Sequence, residues 1–289
     1  MNRDRIAAAP ISWGVCEVPG WGHQMSPQRV LREMAELGLA ATEFGPDGFL
    51  PKDPYDKAAA LKRHAMKPIG GFIPLVLHDA HTDPLPLVHQ ALQDFAAAGA
   101  DTLVLAAATG LEGYDTRPEL DTAGWRTLLT NLDRVNTLAT QHSVTAALHP
   151  HIGTMIEESQ EIDRVLDGTD IGLCLDTGHI LIGGTDPVHL AKDAAARIVH
   201  VHLKDVDLAA AHALQEGRTP TYTEAVAAGM YRPLGQGGIG LASLIDILET
   251  AGYSGWYVME QDAVLTAEPS AEGGPIADVR ASLDWLYSL

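Results

Sequence analysis

Eight short apolar runs alternate with helical patterns along nearly the whole 289-residue chain. Several of the runs are continuously apolar, which is typical of parallel strands buried on both faces. Strands that alternate with helices predict parallel βα units, and eight such units fit an α/β fold with a single (β/α)8 TIM barrel. The runs that we predict as strands are 6–13, 40–44, 68–77, 102–108, 144–149, 171–176, 198–203 and 256–260.

Helical spacing of apolar residues and capping signals define the segments between these runs. Ser26 precedes Pro27 as an N-cap, and Asp186 is expected to cap a later helix. Ser159 is the expected N-cap of its helix, without a capping box because Ile162 stands three residues later. The predicted helices are 28–37, 87–97, 122–141, 159–166, 187–196, 241–251 and 276–287, with a short one at 222–228.

A single domain over residues 1–289 is the simplest organisation, because no linker or low-complexity tract interrupts the alternation. The rival architecture is a doubly wound open sheet. No Gly-x-Gly-x-x-Gly follows the first run, which disfavours the dinucleotide-binding version of that sheet. One connection, at about residues 206–240, is much longer than the others, and a long loop in a barrel is typical of a lid.

Charge and cysteine content limit the partners and the compartment. The formal net charge of −19 disfavours nucleic acid and membrane surfaces as partners. Cys16 and Cys174 are too few for a secreted disulfide framework. The N-terminus lacks the apolar stretch of a signal peptide, and no apolar run reaches the roughly 18 residues of a membrane span. These features predict a cytoplasmic protein whose oligomeric state, a homo-oligomer included, stays open.

Four of the predicted strands end in a residue that can bind a metal: His149, Asp176, His202 and Glu260. The C-terminal ends of barrel strands meet at one face, where active sites lie. Two imidazoles and two carboxylates form a nitrogen and oxygen set that suits Mn²⁺, Co²⁺, Fe²⁺ or Zn²⁺ rather than a metal that prefers thiolates. The sequence therefore predicts a divalent metal centre at this face.

The segment Val-His-Val-His-Leu-Lys-Asp, residues 199–205, concentrates several polar groups in one strand. Side chains alternate between the two faces of a strand, so His200, His202 and Lys204 share one face. The ligand from this strand is His202 or, alternatively, His200. Lys204 is expected to act as an acid, a base or an electrophile, or else to pair with a neighbouring carboxylate.

Other polar side chains stand close to the predicted strand ends. His151 and His179, which closely follow the predicted ligands, are candidates for contacts to the substrate or to those ligands. Trp13, Glu43 and His78 lie in or just after earlier strands and are candidates for substrate binding. A Trp beside a polar pocket is typical of stacking on a sugar or cyclitol ring, and packing in the core is the alternative.

Several motifs carry a resemblance to known proteins. They are Ala-Pro-Ile-Ser-Trp at 9–13, Val-Pro-Gly at 18–20, His-Pro-His-Ile-Gly-Thr at 149–154, Leu-Asp-Thr-Gly-His at 175–179, His-Val-His-Leu-Lys-Asp at 200–205, the lid segment from 224 to 237, and Glu-Gln-Asp at 260–262. The set resembles the xylose isomerase-like barrels and, within them, the inosose (2-keto-myo-inositol) dehydratase family. The likeness runs from about residue 6 to the C-terminus.

The resemblance implies a metal-dependent hydro-lyase of inositol catabolism. Its small-molecule substrate would be a keto-cyclitol, 2-keto-myo-inositol, which loses water through a metal-stabilised enediolate. Mn²⁺ and Co²⁺ are the metals it favours, with Zn²⁺, Fe²⁺ and Mg²⁺ as alternatives. Glu260 is the implied base, and Lys204 or His179 would protonate the departing hydroxyl. The resemblance also adds Gln261 to the candidates for substrate binding.

Two other functions stay open at this point. An isomerase or epimerase of keto-sugars or inososes uses the same metal and enediolate, and a sugar-binding barrel without catalysis needs neither. Most isomerases and epimerases of the superfamily have Glu where this chain has His149. An epimerase needs two bases, so this difference favours dehydration. The residues after Trp13 and the Ala263 position, where a Pro is expected, depart from the dehydratase pattern and leave the substrate identity open.

Overall fold

Short strands form the centre of the molecule. The strands are β1 (Ile6–Ala8), β2 (Ala41–Glu43), β3 (Lys67–Leu75), β4 (Thr102–Ala107), β5 (Thr145–Leu148), β6 (Gly172–Asp176), β7 (Ile198–Leu203), β8 (Asp205–Val206), β9 (Tyr231–Arg232) and β10 (Tyr257–Met259). In the computed structural model, which describes residues 2–271 and 273–289, β1 to β7 and β10 close into a parallel barrel. The order follows the chain, and β10 pairs with both β7 and β1. β8 and β9 form a separate antiparallel ribbon.

Helices connect the barrel strands, which confirms the predicted (β/α)8 fold. They are α1 (Pro27–Glu36), α2 (Pro54–Lys62), α3 (Leu85–Ala98), α4 (Thr122–Gln141), α5 (Ser159–Gly168), α6 (Thr177–Ile182), α7 (Pro187–Asp193), α8 (Leu208–Gln215), α9 (Tyr222–Ala227), α10 (Leu241–Thr250) and α11 (Pro275–Ser288). Among the residues described, none of the helices combines the length and the apolar character needed to cross a membrane.

Three helices, α2, α6 and α8, are absent from the sequence prediction. The alanine-rich α2 and α8 lack a pronounced apolar stripe, and α6 begins directly where β6 ends. Each has an aspartate N-cap whose side chain accepts from backbone N–H groups of the first turn: Asp53, Asp176 and Asp207. These caps are the local signal that identifies the three helices.

The first strand is shorter than the predicted run 6–13. It ends at Ala8, and Pro10–Trp13 form a 3-10 turn that Gly14 closes with a φ of 74°. A proline has no N–H to continue strand pairing, and glycine adopts a left-handed φ without the strain of a Cβ.

The predicted N-cap of α5 is also wrong. Glu158, not Ser159, is the N-cap residue. The backbone N–H of Glu158 donates to Glu161 Oε2 at 2.9 Å, so a capping box is present after all. The glutamate that completes the box stands three residues after the cap, which the prediction missed because it placed the cap one residue too late.

The two faces of β7 show how the barrel is filled. Val201 and Leu203 belong to the main apolar core. His200 and His202 lie on the opposite face, where both contact Glu43 of β2. A separate cluster of small or β-branched buried residues comprises Ala7, Ala9, Ala41, Ile69 and Val258. The interior therefore combines small apolar residues with fully buried polar side chains.

The long connection between β7 and α10, residues 206–240, is here called the excursion. It contains α8, α9 and the ribbon strand β9. Asp205 fixes its return: Oδ2 accepts from the backbone N–H groups of Gly235 and Gly237, both at 2.9 Å, and Oδ1 accepts from Ile239 at 3.1 Å. A Cβ on Gly237 would collide with this carboxylate. One buried aspartate thus holds the excursion against the end of β7.

Asp205→Asn places an NH₂ group where one carboxylate oxygen now accepts from backbone donors. Hydrogen bonds to charged groups contribute about 1.5–3 kcal/mol, and buried unpaired donors are costly. We therefore expect the free energy of unfolding to fall by about 3 kcal/mol, measured by urea denaturation. Asp207→Asn, which changes the half-exposed cap of α8, is the matched control and should cost clearly less. Equal losses in the two variants would argue against the role of Asp205.

Candidate active site

Strand alternation and register bring the four predicted metal ligands together at the C-terminal end of the barrel. Asp176 and His202 are neighbours across β6 and β7, because their Cα atoms are register partners. Glu260 follows β10, two residues after Val258, which is the β10 partner of His202. His149 directly follows β5. All four side chains are buried.

The facing donor atoms fit a divalent cation. His202 Nδ1 lies 3.3 Å from Glu260 Oε2 and 3.6 Å from Asp176 Oδ2. The ligand atoms of these three residues lie within 4.8 Å of one another. His149 Nε2 is 3.2 Å from the same Asp176 oxygen. His202 Nδ1 is buried and makes no hydrogen bond. An imidazole nitrogen that faces two carboxylate oxygens needs a proton or a metal between them, and this mixed donor set suits borderline divalent ions.

Asp176 keeps its position because it also caps the following helix. Its Oδ1 accepts from the backbone N–H groups of Gly178 at 2.9 Å and His179 at 2.8 Å, at the start of α6. This leaves Oδ2 to face His149 and Lys204. Burial disfavours a charge on Asp176, but the Lys204 ammonium holds the pKa of this carboxyl well below its ordinary value.

The Asp-Thr-Gly-His motif at 176–179 and the His-Leu-Lys-Asp motif at 202–205 are hydrogen-bonded to each other. Thr177 Oγ1 donates to the Lys204 carbonyl at 2.6 Å, and it accepts from the Lys204 backbone N–H at 2.8 Å. A Cβ on Gly178 would lie 2.8 Å from Lys204 Cβ, too close for a real contact. Thr177 and Gly178 therefore let α6 pack directly on the end of β7.

Lys204 places a buried ammonium at the centre of the acids. Its Nζ is 3.1 Å from Asp176 Oδ2, 3.1 Å from Glu260 Oε2 and 2.9 Å from Asp262 Oδ1. Burial opposes the charge, but these carboxylates raise the pKa of Lys204 well above its ordinary value. Nζ is also 2.9 Å from His179 Nε2. Because an ammonium only donates, this ring nitrogen is the acceptor.

Glu260 differs from the other acids of the site. Burial raises the pKa of Glu260 to about 7, although His202 and Lys204 act against that shift. The pKa of Asp176 moves in the opposite direction. A carboxyl group that titrates near neutral pH can both take and return a proton.

Three neutral histidines line one side of the site. The ring centroids of His151 and His179 are 3.7 Å apart, with 30° between the ring planes. Burial lowers the pKa of His149 to about 4. It also lowers the pKa values of His151 and His179 well below the ordinary value. These rings therefore present neutral donors and acceptors to the site.

Glu43, predicted to bind substrate, lies against two histidines. Its Oε1 accepts from His200 Nε2 at 2.8 Å and from His202 Nε2 at 2.9 Å. Burial opposes ionisation, but the neighbouring histidines outweigh it and lower the pKa of Glu43. His200, the alternative ligand, thus meets Glu43, whereas the ring of His202 also faces Asp176 and Glu260.

Sequence reasoning missed three polar residues of the site. Asp262 contacts Lys204, and Tyr222 of α9 donates its hydroxyl to Asp262 Oδ2 at 2.6 Å. The Tyr222 hydroxyl is also 2.9 Å from that of Tyr231 in β9. Asp262 stands two residues after Glu260, so the alternation rule identifies it. The tyrosines come from the excursion, where no local pattern indicates a contact with the barrel.

Three predicted substrate-binding residues make no hydrogen bond or ion pair with Asp176, Glu260 or Asp262 in the part of the chain that the structure describes. Trp13 is fully buried, and its Nε1 donates to Glu33 at 2.8 Å. Gln261 turns to the opposite side of the chain from Glu260, and its Nε2 donates to Asp278 of α11. His78 is half-buried after β3, and burial lowers its pKa.

Sequence comparison identifies relatives over nearly the whole chain. Residues 31–289 match the sequence profile of a family described as xylose isomerase-like TIM barrel. An inosose dehydratase of Geobacillus kaustophilus (strain HTA426) is 32% identical over 275 residues, covering 91% of this chain and 88% of that protein. The rhizopine catabolism protein MocC of Rhizobium meliloti is 32% identical over 276 residues, covering 89% and 81%.

Solved structures share the fold. An IolI protein with a bound zinc atom matches with a TM-score of 0.73 at 14% identity, over 98% of each chain. The 3-keto-D-glucoside 4-epimerase YcjR from E. coli matches with a TM-score of 0.69 at 18% identity, over 99% of each chain. At these identities the likeness concerns the barrel fold alone.

Lys204→Met leaves three buried carboxylates without their ammonium. Removing one partner of a buried ion pair costs about 3–5 kcal/mol, so we expect a loss of that size in the free energy of unfolding when a chelator is present. Added Mn²⁺ should restore more stability to the variant than to the wild type, because a divalent cation supplies the missing charge. Denaturant unfolding with and without Mn²⁺ measures both effects.

The control for this prediction is Arg32→Met. Arg32 forms an exposed ion pair with Glu36 on α1, and exposed pairs contribute little to stability. Its removal should leave both the stability and the effect of Mn²⁺ unchanged. A Lys204→Met protein as stable as the Arg32 variant in chelator would show that the acids are compensated by something other than this ammonium.

Proposed function

The chain belongs to the xylose isomerase-like TIM barrel family, and from this premise we propose that it is a metal-dependent dehydratase of a keto-cyclitol, 2-keto-myo-inositol. The chain is an enzyme, and its relatives include inosose dehydratases, which are hydro-lyases. Identity to those relatives along the whole barrel supports the reaction class. The residues at the strand ends support the chemistry.

One observation carries the proposal: an acid and a base stand side by side. Glu260 Oε2 and Lys204 Nζ are 3.1 Å apart. Before a metal binds, burial raises the pKa of Glu260 to about 7, while the carboxylates around Lys204 raise the pKa of its ammonium well above the ordinary value. Loss of water from a ketone with a β-hydroxyl needs one group that removes the α-proton and one that protonates the leaving hydroxyl. This pair supplies both.

We assign the proton movements to these side chains. Glu260 takes the proton from the carbon next to the ketone. The C–H electron pair forms the C=C bond of the enediolate, and the negative charge moves to the ketone oxygen. The bond to the β-hydroxyl then breaks, and Lys204 donates the proton that turns the hydroxyl into water. His179 accepts from Lys204 and so orients the ammonium. Both groups approach the ring from the same side because their reacting atoms are in contact.

His149, Asp176, His202 and Glu260 are the residues that would hold the metal. Bound there, a divalent cation supplies Lewis-acid polarisation of the ketone oxygen. Asp176 keeps Oδ2 directed into the site because its other oxygen is committed to the cap of α6. His149 offers a neutral nitrogen, since burial lowers its pKa to about 4.

The isomerase or epimerase alternative needs a second base on the opposite side of the substrate. At the end of β5, where that carboxylate would be expected, this chain has His149, which is a weak base because burial lowers its pKa to about 4. Asp176 and Asp262 are engaged by backbone N–H groups and by Tyr222. The arrangement therefore favours elimination from one side over inversion of a carbon.

The activity test uses Mn²⁺- or Co²⁺-loaded protein with 2-keto-myo-inositol, followed by absorbance and mass spectrometry together. We expect a product lighter by one water that absorbs in the ultraviolet, because elimination produces a conjugated enol or dione. A chelator should abolish the activity. Glu260→Gln should lower kcat by at least about 100-fold, as expected for loss of a general base.

Glu33→Gln is the matched control, since Glu33 is equally buried but bonds Trp13 and Arg29 away from the acids. It should retain the wild-type kcat. A product of unchanged mass would instead assign the protein to the isomerases. Stoichiometric metal without turnover would exclude 2-keto-myo-inositol as the substrate.

A further inference from the structure

Glu43 and His200 form a buried layer behind the predicted metal ligands. Glu43 lies on β2 and reaches the two β7 histidines with a single oxygen, Oε1, at 2.8 and 2.9 Å. Its side chain is 5% exposed, and those of His200 and His202 are 0% and 2% exposed. A charged side chain this deep in a barrel needs a partner, and the two imidazole N–H groups are its partners.

The two ring nitrogens of His202 have different surroundings. Nε2 donates to Glu43, and Nδ1 faces Asp176 Oδ2 and Glu260 Oε2 without a hydrogen bond. An imidazole that binds a metal through Nδ1 keeps its one proton on Nε2, and that proton needs an acceptor. Metal-binding histidines usually donate their second N–H to a carboxylate or carbonyl, which fixes the tautomer and the ring orientation.

We propose that Glu43 is a positioning residue of the metal centre, which holds His202 with Nδ1 directed at Asp176 and Glu260, and does not contact the substrate. The inference rests on the metal site of the proposed function, but not on the identity of the substrate. His200 supports Glu43: its Nε2–H donates to the same oxygen and keeps that oxygen opposite His202. The support from His200 explains why β7 has two histidines on one face although only His202 is a proposed metal ligand.

The experiment compares Zn²⁺ affinity in wild type, Glu43→Gln, Glu43→Ala and the buried control Glu33→Gln. A chromogenic chelator competes for the metal, so that no turnover is involved. Loss of such a supporting partner typically weakens metal binding about 10- to 100-fold. We expect Glu43→Ala to lose affinity in that range and Glu43→Gln to lose less, because an amide oxygen still accepts from Nε2. Glu33→Gln should bind as the wild type does.

Nitrogen NMR of the histidine rings provides a second readout. In the Zn²⁺-loaded wild type, His202 should show a protonated Nε2 and a metal-bound Nδ1. In Glu43→Ala the ring loses its acceptor, and we expect a second form in which the ring is flipped or exchanging. If Glu43→Ala fails to fold by circular dichroism, Glu43→Gln carries the test through its smaller loss of affinity and a shifted Nε2–H signal.

Several results would overturn the inference. One is a folded Glu43 variant, Ala or Gln, that binds Zn²⁺ as tightly as wild type with unchanged His202 signals. Another is a raised KM with unchanged Zn²⁺ affinity, which would make Glu43 a substrate contact. A wild-type protein that binds no Zn²⁺ would overturn it as well. Zn²⁺ affinity that falls in Glu43→Ala, in a protein that leaves 2-keto-myo-inositol intact, would support this inference while rejecting the proposed substrate.

Discussion

The buried ammonium of Lys204 is the interaction on which the rest of the site depends. Three carboxylates, those of Asp176, Glu260 and Asp262, lie within 3.1 Å of its Nζ. Burying one unpaired carboxylate costs several kcal/mol, and like charges at this separation add to the cost. The ammonium offsets that cost and leaves His202 Nδ1, which faces Asp176 and Glu260, without a hydrogen bond. It therefore allows a fold to keep negative charge concentrated where a cation and a polar substrate would bind.

The acids can be placed so accurately because the two histidine-containing motifs form one unit. Thr177 bonds both backbone groups of Lys204, and Gly178 removes the Cβ that would separate α6 from β7. One oxygen of Asp176, Oδ1, caps α6, and this fixes the direction in which Oδ2 points. Asp205, the last residue of the His-Leu-Lys-Asp motif, binds the excursion and does not contact the proposed metal ligands in the part of the chain described. Some residues of these motifs therefore face the site, and others hold the surrounding backbone in place.

Alternation along strands accounts for what the sequence could predict. The barrel and the placement of His149, Asp176, His202 and Glu260 at its C-terminal end follow from apolar runs that end in polar residues. The same rule points to Asp262, although the prediction stopped at Gln261, whose side chain turns to α11. The alternation rule does not predict contacts between segments that are distant in the sequence. The pairing of Glu43 with β7 depends on barrel closure, and the contact of Tyr222 with Asp262 depends on how the excursion folds back.

The site draws its polar side chains from two parts of the fold. Glu43, His200 and His202 belong to barrel strands, and Asp176 is fixed by a strand and a helix cap. Tyr222 and Tyr231 come from the excursion, which Asp205 holds through hydrogen bonds and which packs with Trp21, Ile152 and Ile182 in a second apolar cluster. Tyr222 begins α9 and Tyr231 begins β9, so both tyrosines are also positioned by regular elements. The proposed ligands and the Glu260–Lys204 pair therefore depend on the barrel, whereas the excursion adds the Tyr222 hydroxyl, which donates to Asp262.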